Sequence, residues 1–100
     1  MSTATRFEAD LTVQSFAYVA KQLAPTAQYE QILSEAERHR SALRLMQRDA
    51  FALAELELRK QTLTRAEFQQ LRETAAQKIA QAEQAINRIA AQYAPHKIAA

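Results

Sequence analysis

The side chains in this chain that could do chemistry are few. His39 and His96 are the only histidines, and there is no cysteine. Imidazole is the group that titrates nearest neutrality and the commonest metal ligand, so these two positions carry the first test for a site. A di-metal carboxylate centre in a helical bundle needs inward-facing Glu-x-x-His pairs. The segment Glu35-Ala36-Glu37-Arg38-His39 spaces its glutamates and histidine differently, and the second half of the chain offers no histidine before His96. Glu55 and Glu57 could be taken for a general acid and base. Two residues apart on a helix, however, they point in different directions, and Glu55 is better placed to meet Arg59 one turn on. With the cysteines go thiolate catalysis, disulfides and cysteine-based zinc sites. We therefore expect no catalytic residue, no metal ligand and no cofactor site. His39 is expected on a helical seam, satisfied by a neighbour such as Glu35.

Glycine is absent too. Phosphate-cradling loops and dinucleotide-binding turns rely on glycine for left-handed backbone and for close approach to the ligand, so neither can be built here. What remains is a possible electrostatic function. Arg40, Arg44 and Arg48 stand four apart on one helix face, with Arg38 nearby, and could meet successive phosphates. Against that, residues 27–63 hold six basic and six acidic residues, so the segment is neutral. The net charge of +2 comes from beyond it. A solvated arginine face is the plainer reading, with a basic helical nucleic-acid binder or regulator as the alternative.

The elements that would hold these residues can be read from punctuation and periodicity. One hundred residues suffice for one core, so a single domain over 1–100 is expected. The prolines, Pro25 and Pro95, divide the chain into a short first piece, a long middle and a short tail. Thr5 with Glu8, or Asp10 or Thr12, could open a first helix over about 8–24. Its stripe is Val13, Phe16, Ala17, Ala20, Leu23 and Ala24, and Pro25 closes it. Thr26 could cap a second helix over about 27–61. The seam of that helix is Tyr29, Ile32, Ala36, His39, Leu43, Met46, Ala50 and Leu53, a heptad-like run.

Between Gln61 and Phe68 two start signals coincide. Thr64 and Glu67 have capping-box spacing, and Leu63 and Phe68 are placed to clasp as a hydrophobic staple. A third helix follows over about 65–93, with the stripe Phe68, Leu71, Ala75, Ile79, Ala82, Ile86, Ile89 and Tyr93, and 94–100 as a frayed tail. Folding at the elbow pairs the two long helices antiparallel. The expected fold is thus all-α: a short N-terminal helix followed by a long, coiled-coil-like helical hairpin that assembles into a helical bundle.

Near the elbow the second helix has more apolar surface than one seam needs. Leu45, Phe51 and Leu58 fall off the predicted seam, in the elbow half, which a short first helix tethered tightly at Pro25 would not reach. Contiguous apolar surface of this kind marks association sites. The expected function is therefore a non-catalytic protein–protein interaction module of adaptor or small-chaperone type. It would bind a protein partner or a second copy of itself through Leu45, Phe51 and Leu58, most simply as a homodimer. Residues 1–11 contain no apolar signal core, and no stretch is long and apolar enough for a membrane span. A cytoplasmic chain that uses no membrane is the expectation.

Overall fold

The computed structural model describes the backbone of residues 2–95 and the side chains of residues 8–95. The described residues form three helices and no strand: α1 (Ser2–Leu23), α2 (Tyr29–Arg59) and α3 (Arg65–Ala91). The fold is all-α. α2 and α3 form the antiparallel hairpin, and α1 packs against both. The result is a rod of 61 × 25 × 17 Å.

α1 is longer than its punctuation suggests. It opens at Ser2, so Thr5, Asp10 and Thr12 lie inside the helix and not at its start. Thr12 turns its hydroxyl back to donate to the Glu8 carbonyl at 3.0 Å, the alternative open to a mid-helix threonine. At Pro25 the helix has ended, as expected, and the Thr26 and Ala27 N–H groups close on the Leu23 carbonyl at 3.0 and 2.8 Å. Thr26 does not cap α2. That helix starts at Tyr29 behind Gln28, whose N–H donates to the Gln31 side chain at 2.9 Å.

The core lies between the three helices. Phe16 and Ala20 of α1 meet Ile32, Ala36 and Leu43 of α2, together with Ile79, Ala82, Ile86 and Ala90 of α3. On α3 the buried positions coincide with the predicted stripe, apart from Ala90 joining beside Ile89. On α2 they coincide only as far as Met46. Beyond it Leu53 is half exposed and Ala54 is buried in its place. The cause is the helical period. A position repeated every seven residues drifts about 20° per heptad on a straight 3.6-residue helix. Three heptads separate Ile32 from Leu53, so Leu53 has swung about 60° out of the interface and Ala54 has swung in.

The elbow is built by two caps set back to back. At the end of α2, the Thr62 N–H reaches the Glu57 carbonyl and the Gln61 N–H reaches the Leu58 carbonyl, both at 3.0 Å. These are the two bonds of a Schellman motif. The residue that must turn left-handed there is Gln61, at φ 61°. Glycine is the usual occupant, and this chain has none. At the start of α3 the expected capping box is present. The Glu67 N–H donates to Thr64 Oγ1 at 3.1 Å, and the Thr64 N–H donates to Glu67 Oε1 at 3.0 Å. The backbone N–H of Thr64 in particular, and then its hydroxyl, hold the Glu67 carboxyl below the ordinary glutamate range. Leu63 and Phe68, the staple pair, are both half-buried.

The elbow gives the first prediction. Thr64→Ala should lower stability by about 1 kcal/mol through the lost cap. Gln61→Gly should raise it by roughly 0.5–1 kcal/mol, because the left-handed residue then carries no Cβ. Urea denaturation of both variants measures the two effects, and an unchanged midpoint in both would show the elbow to be energetically idle.

Candidate protein-interaction surface

A residue on α2 can be placed by its angle around the axis, at 100° per residue. Leu45, Asp49, Ala52 and Leu56 fall within about 60° of one another, and the buried Ala54 lies on the opposite side of the helix. They form a stripe on the back of α2, turned away from α3. Leu45, Leu53 and Leu56 are 51%, 50% and 45% exposed, and Leu53 borders the stripe on one flank. The stripe runs along the elbow half of α2. At 22 residues α1 is longer than expected and spans ~33 Å of the hairpin, so the surplus of apolar surface rests on the exposure of these leucines and not on a short α1.

The residues expected to form this surface are divided by the structure. Leu45 is on it. Phe51 and Leu58 are half-buried. Phe51 faces the hairpin, with the Arg72 guanidinium 4.9 Å from its ring centroid and the Phe68 ring 5.6 Å from the same guanidinium. Leu58 lies one turn beyond the buried Ala54. Reading the seam as a strict heptad set Phe51 and Leu58 outside it. The drift that moves Leu53 outward brings the neighbouring side of α2, with Phe51 and Leu58, round toward α3. The solvent-facing residue that the heptad seam wrongly claimed is Leu53, while Leu56, off the seam, is exposed beside Leu45. A window read at 100° per residue, in place of seven-residue steps, places both.

The arginines are held within the chain. Arg40 donates to Glu37 Oε2 at 2.7 Å and, across the hairpin, to Asn87 Oδ1 at 2.8 Å. Arg44 donates to Glu37 Oε1 at 3.1 Å and lies 3.7 Å from Glu83 Oε1 of α3. These contacts sit on the side of the hairpin opposite α1, and they tie α2 to α3. Hydrogen bonds from Arg40 first, and Arg44 second, hold the Glu37 carboxyl below the ordinary glutamate range. Arg38 is paired with Glu35 at 3.0 Å, and Arg48 projects into solvent beside Asp49 at 3.5 Å. A phosphate approaching this face would have to displace carboxylates that already neutralise two of its three stripe arginines.

His39 is wedged between α1 and α2. Its Nδ1 lies 2.7 Å from the Glu35 carbonyl, which can only accept, so Nδ1 carries the proton. The Glu35 carboxylate is 3.9 Å away, and the Phe16 ring is tilted against the imidazole at 5.5 Å between centroids. His39 therefore acts as a packed contact between helices, with Glu35 as the neighbour that satisfies it. His96 lies outside the described residues. Among the described residues, no group of three histidine or carboxylate side chains could hold a metal ion, and no helix is long and apolar enough to cross a membrane.

Comparison of the chain with protein-family models, curated proteins and solved structures finds no match.

The Glu37 network sets a pH dependence. Its folded pKa lies below the ordinary 4.5, so its contribution to stability is complete above that value and is lost as pH falls through the folded pKa. The thermal midpoint should fall on acidification below about pH 4.5. In Glu37→Gln that fall should be shallower. Calorimetry from pH 7 to pH 3 reads the difference, and parallel curves would mean that the network adds nothing to stability.

Proposed function

We propose that this chain is a non-catalytic binding module that docks another protein chain on the back of α2. The observation that carries the reading is the stripe formed by Leu45, Ala52 and Leu56 with Leu53 at its flank: apolar side chains about half exposed, on a helix whose opposite face is already packed. Burying a leucine contributes on the order of 1.5–3 kcal/mol, so covering this stripe supplies the driving force for a specific if modest interface. The adaptor or small-chaperone role follows from the same feature. With one side of α2 packed into the core, its other side is left to offer a recognition surface. The cytoplasm is the compartment we assign to it.

Binding of nucleic acid by Arg40, Arg44 and Arg48 is the weaker reading. It asks Arg40 and Arg44 to abandon Glu37, Asn87 and Glu83, and it leaves Arg48 as the only stripe arginine on hand.

The test is a pair of aspartates on the stripe, Leu45→Asp with Leu56→Asp. Both side chains point away from the core, so the variant should keep its helical circular dichroism and unfold within about 1 kcal/mol of the parent. Partners retained by the parent in affinity capture from its native host should be lost by the variant. Capture that is indifferent to the two aspartates would overturn the proposal. Labelled duplex and single-stranded DNA, titrated at two salt concentrations, should show no steeply salt-dependent micromolar binding. If they do, and Arg40→Glu with Arg44→Glu abolishes it, the nucleic-acid reading replaces this one.

A further inference from the structure

The flanks of the stripe bear on which chain covers it. Leu45, Asp49, Ala52 and Leu56 follow one another in steps of four, three and four, the core pattern of a helix pair. Arg48 and Glu55 are both exposed and lie along the same flank of that pattern, seven residues apart. Among the described residues Arg48 pairs with the adjacent Asp49 at 3.5 Å, both side chains exposed. In an antiparallel pair of helices, each flank meets the equivalent flank of the partner helix. A second copy of α2 laid antiparallel therefore sets Arg48 of each chain against Glu55 of the other, twice over. The same register sets Leu45 against Leu56 and Asp49 against the small Ala52. The centre of the charge pair and the centre of the apolar stripe coincide to within one residue, as a two-fold axis requires. In a parallel pair, Arg48 would instead meet the apolar flank at Leu53, and Asp49 would face its own copy.

On this basis, and resting on the binding reading above, we propose that the stripe is covered by a second copy of this chain, with α2 packed antiparallel to α2 and two Arg48–Glu55 pairs across the axis. Because α3 lies on the far side of each α2, the four long helices form a flat layer with the two α2 helices at its centre. A closed four-helix bundle is not the geometry that this stripe supports. The interface is one helix face, well below the roughly 20–30 residues a side of a standard complex. The association is accordingly weak, and the charges decide its orientation and specificity.

Sedimentation equilibrium at low salt tests the arrangement. The parent should dimerise at concentrations up to about 100 µM, in the micromolar range of modest interfaces. Arg48→Glu alone, or Glu55→Arg alone, converts both attractive pairs to repulsive ones and should weaken self-association on the order of tenfold. Mixing the two single variants restores opposite charges across the axis, so a heterodimer of near-parental affinity should form. Circular dichroism confirms that each variant is folded. A parent that stays monomeric overturns the dimer, as does self-association that Arg48→Glu leaves unchanged or a mixture that gains nothing. The binding reading itself fails separately, if capture ignores Leu45→Asp with Leu56→Asp.

Discussion

The hairpin depends on how closely its two axes can approach. Along α2 the seam carries Ala36 and Ala54, and along α3 it carries Ala75, Ala82 and Ala90, all buried. Each alanine lets a larger residue opposite or beside it, such as Leu43, Ile79 or Ile86, fill the gap between backbones. A two-helix layer with small residues at its seam encloses little volume of its own. The third element supplies what is missing. Phe16 from α1 is completely buried at the junction of all three helices, with His39 against its ring. The rod thereby gains a core that α2 and α3 could not form alone.

The elbow shows how a chain without glycine reverses direction. Its Schellman bonds are made, and the left-handed residue between them is Gln61. A Cβ in that region is unfavourable by about 1–2 kcal/mol. The neighbours compensate: the Thr62 hydroxyl adds a second donor to the Glu57 carbonyl at 2.9 Å, and the capping box starts α3 two residues later. Between the last residue of one helix and the first of the next, most orphan backbone groups are met by these two motifs.

Much of this was legible in the sequence because it is local. The capping box, the stop at Pro25 and the stripe of α3 are encoded within a few residues of where they act. Other features depend on sums over distance. A drift of 20° per heptad is invisible over one turn, yet over three heptads it exchanges Leu53 for Ala54. That exchange is why Leu45 lies on the exposed stripe while Phe51 and Leu58 are half-buried. The tethering of Arg40 to Asn87, 47 residues away, depends on hairpin register and has no local signal. The start of α1 was misplaced for another reason. Thr5, Asp10 and Thr12 resemble caps, but a helix that gains from packing Ala9 and Phe16 runs past them.

The rod is unevenly furnished along its length. At one end three helices share a core, while toward the elbow the buried residues among those described thin to Ala54 and Ala75, beside half-covered aromatic side chains. Backbone protection against solvent exchange should follow the same gradient, since local opening is easiest where the fewest apolar contacts must be broken. Amides near Leu43, Ile79 and Ile86 would then exchange only through global unfolding. Those of the last turns of α2 and the first turns of α3 would exchange through a smaller opening of the hairpin tip. The end that carries Leu53 and Leu56 is also the end free to adjust its shape, and a covering chain would slow exchange there first.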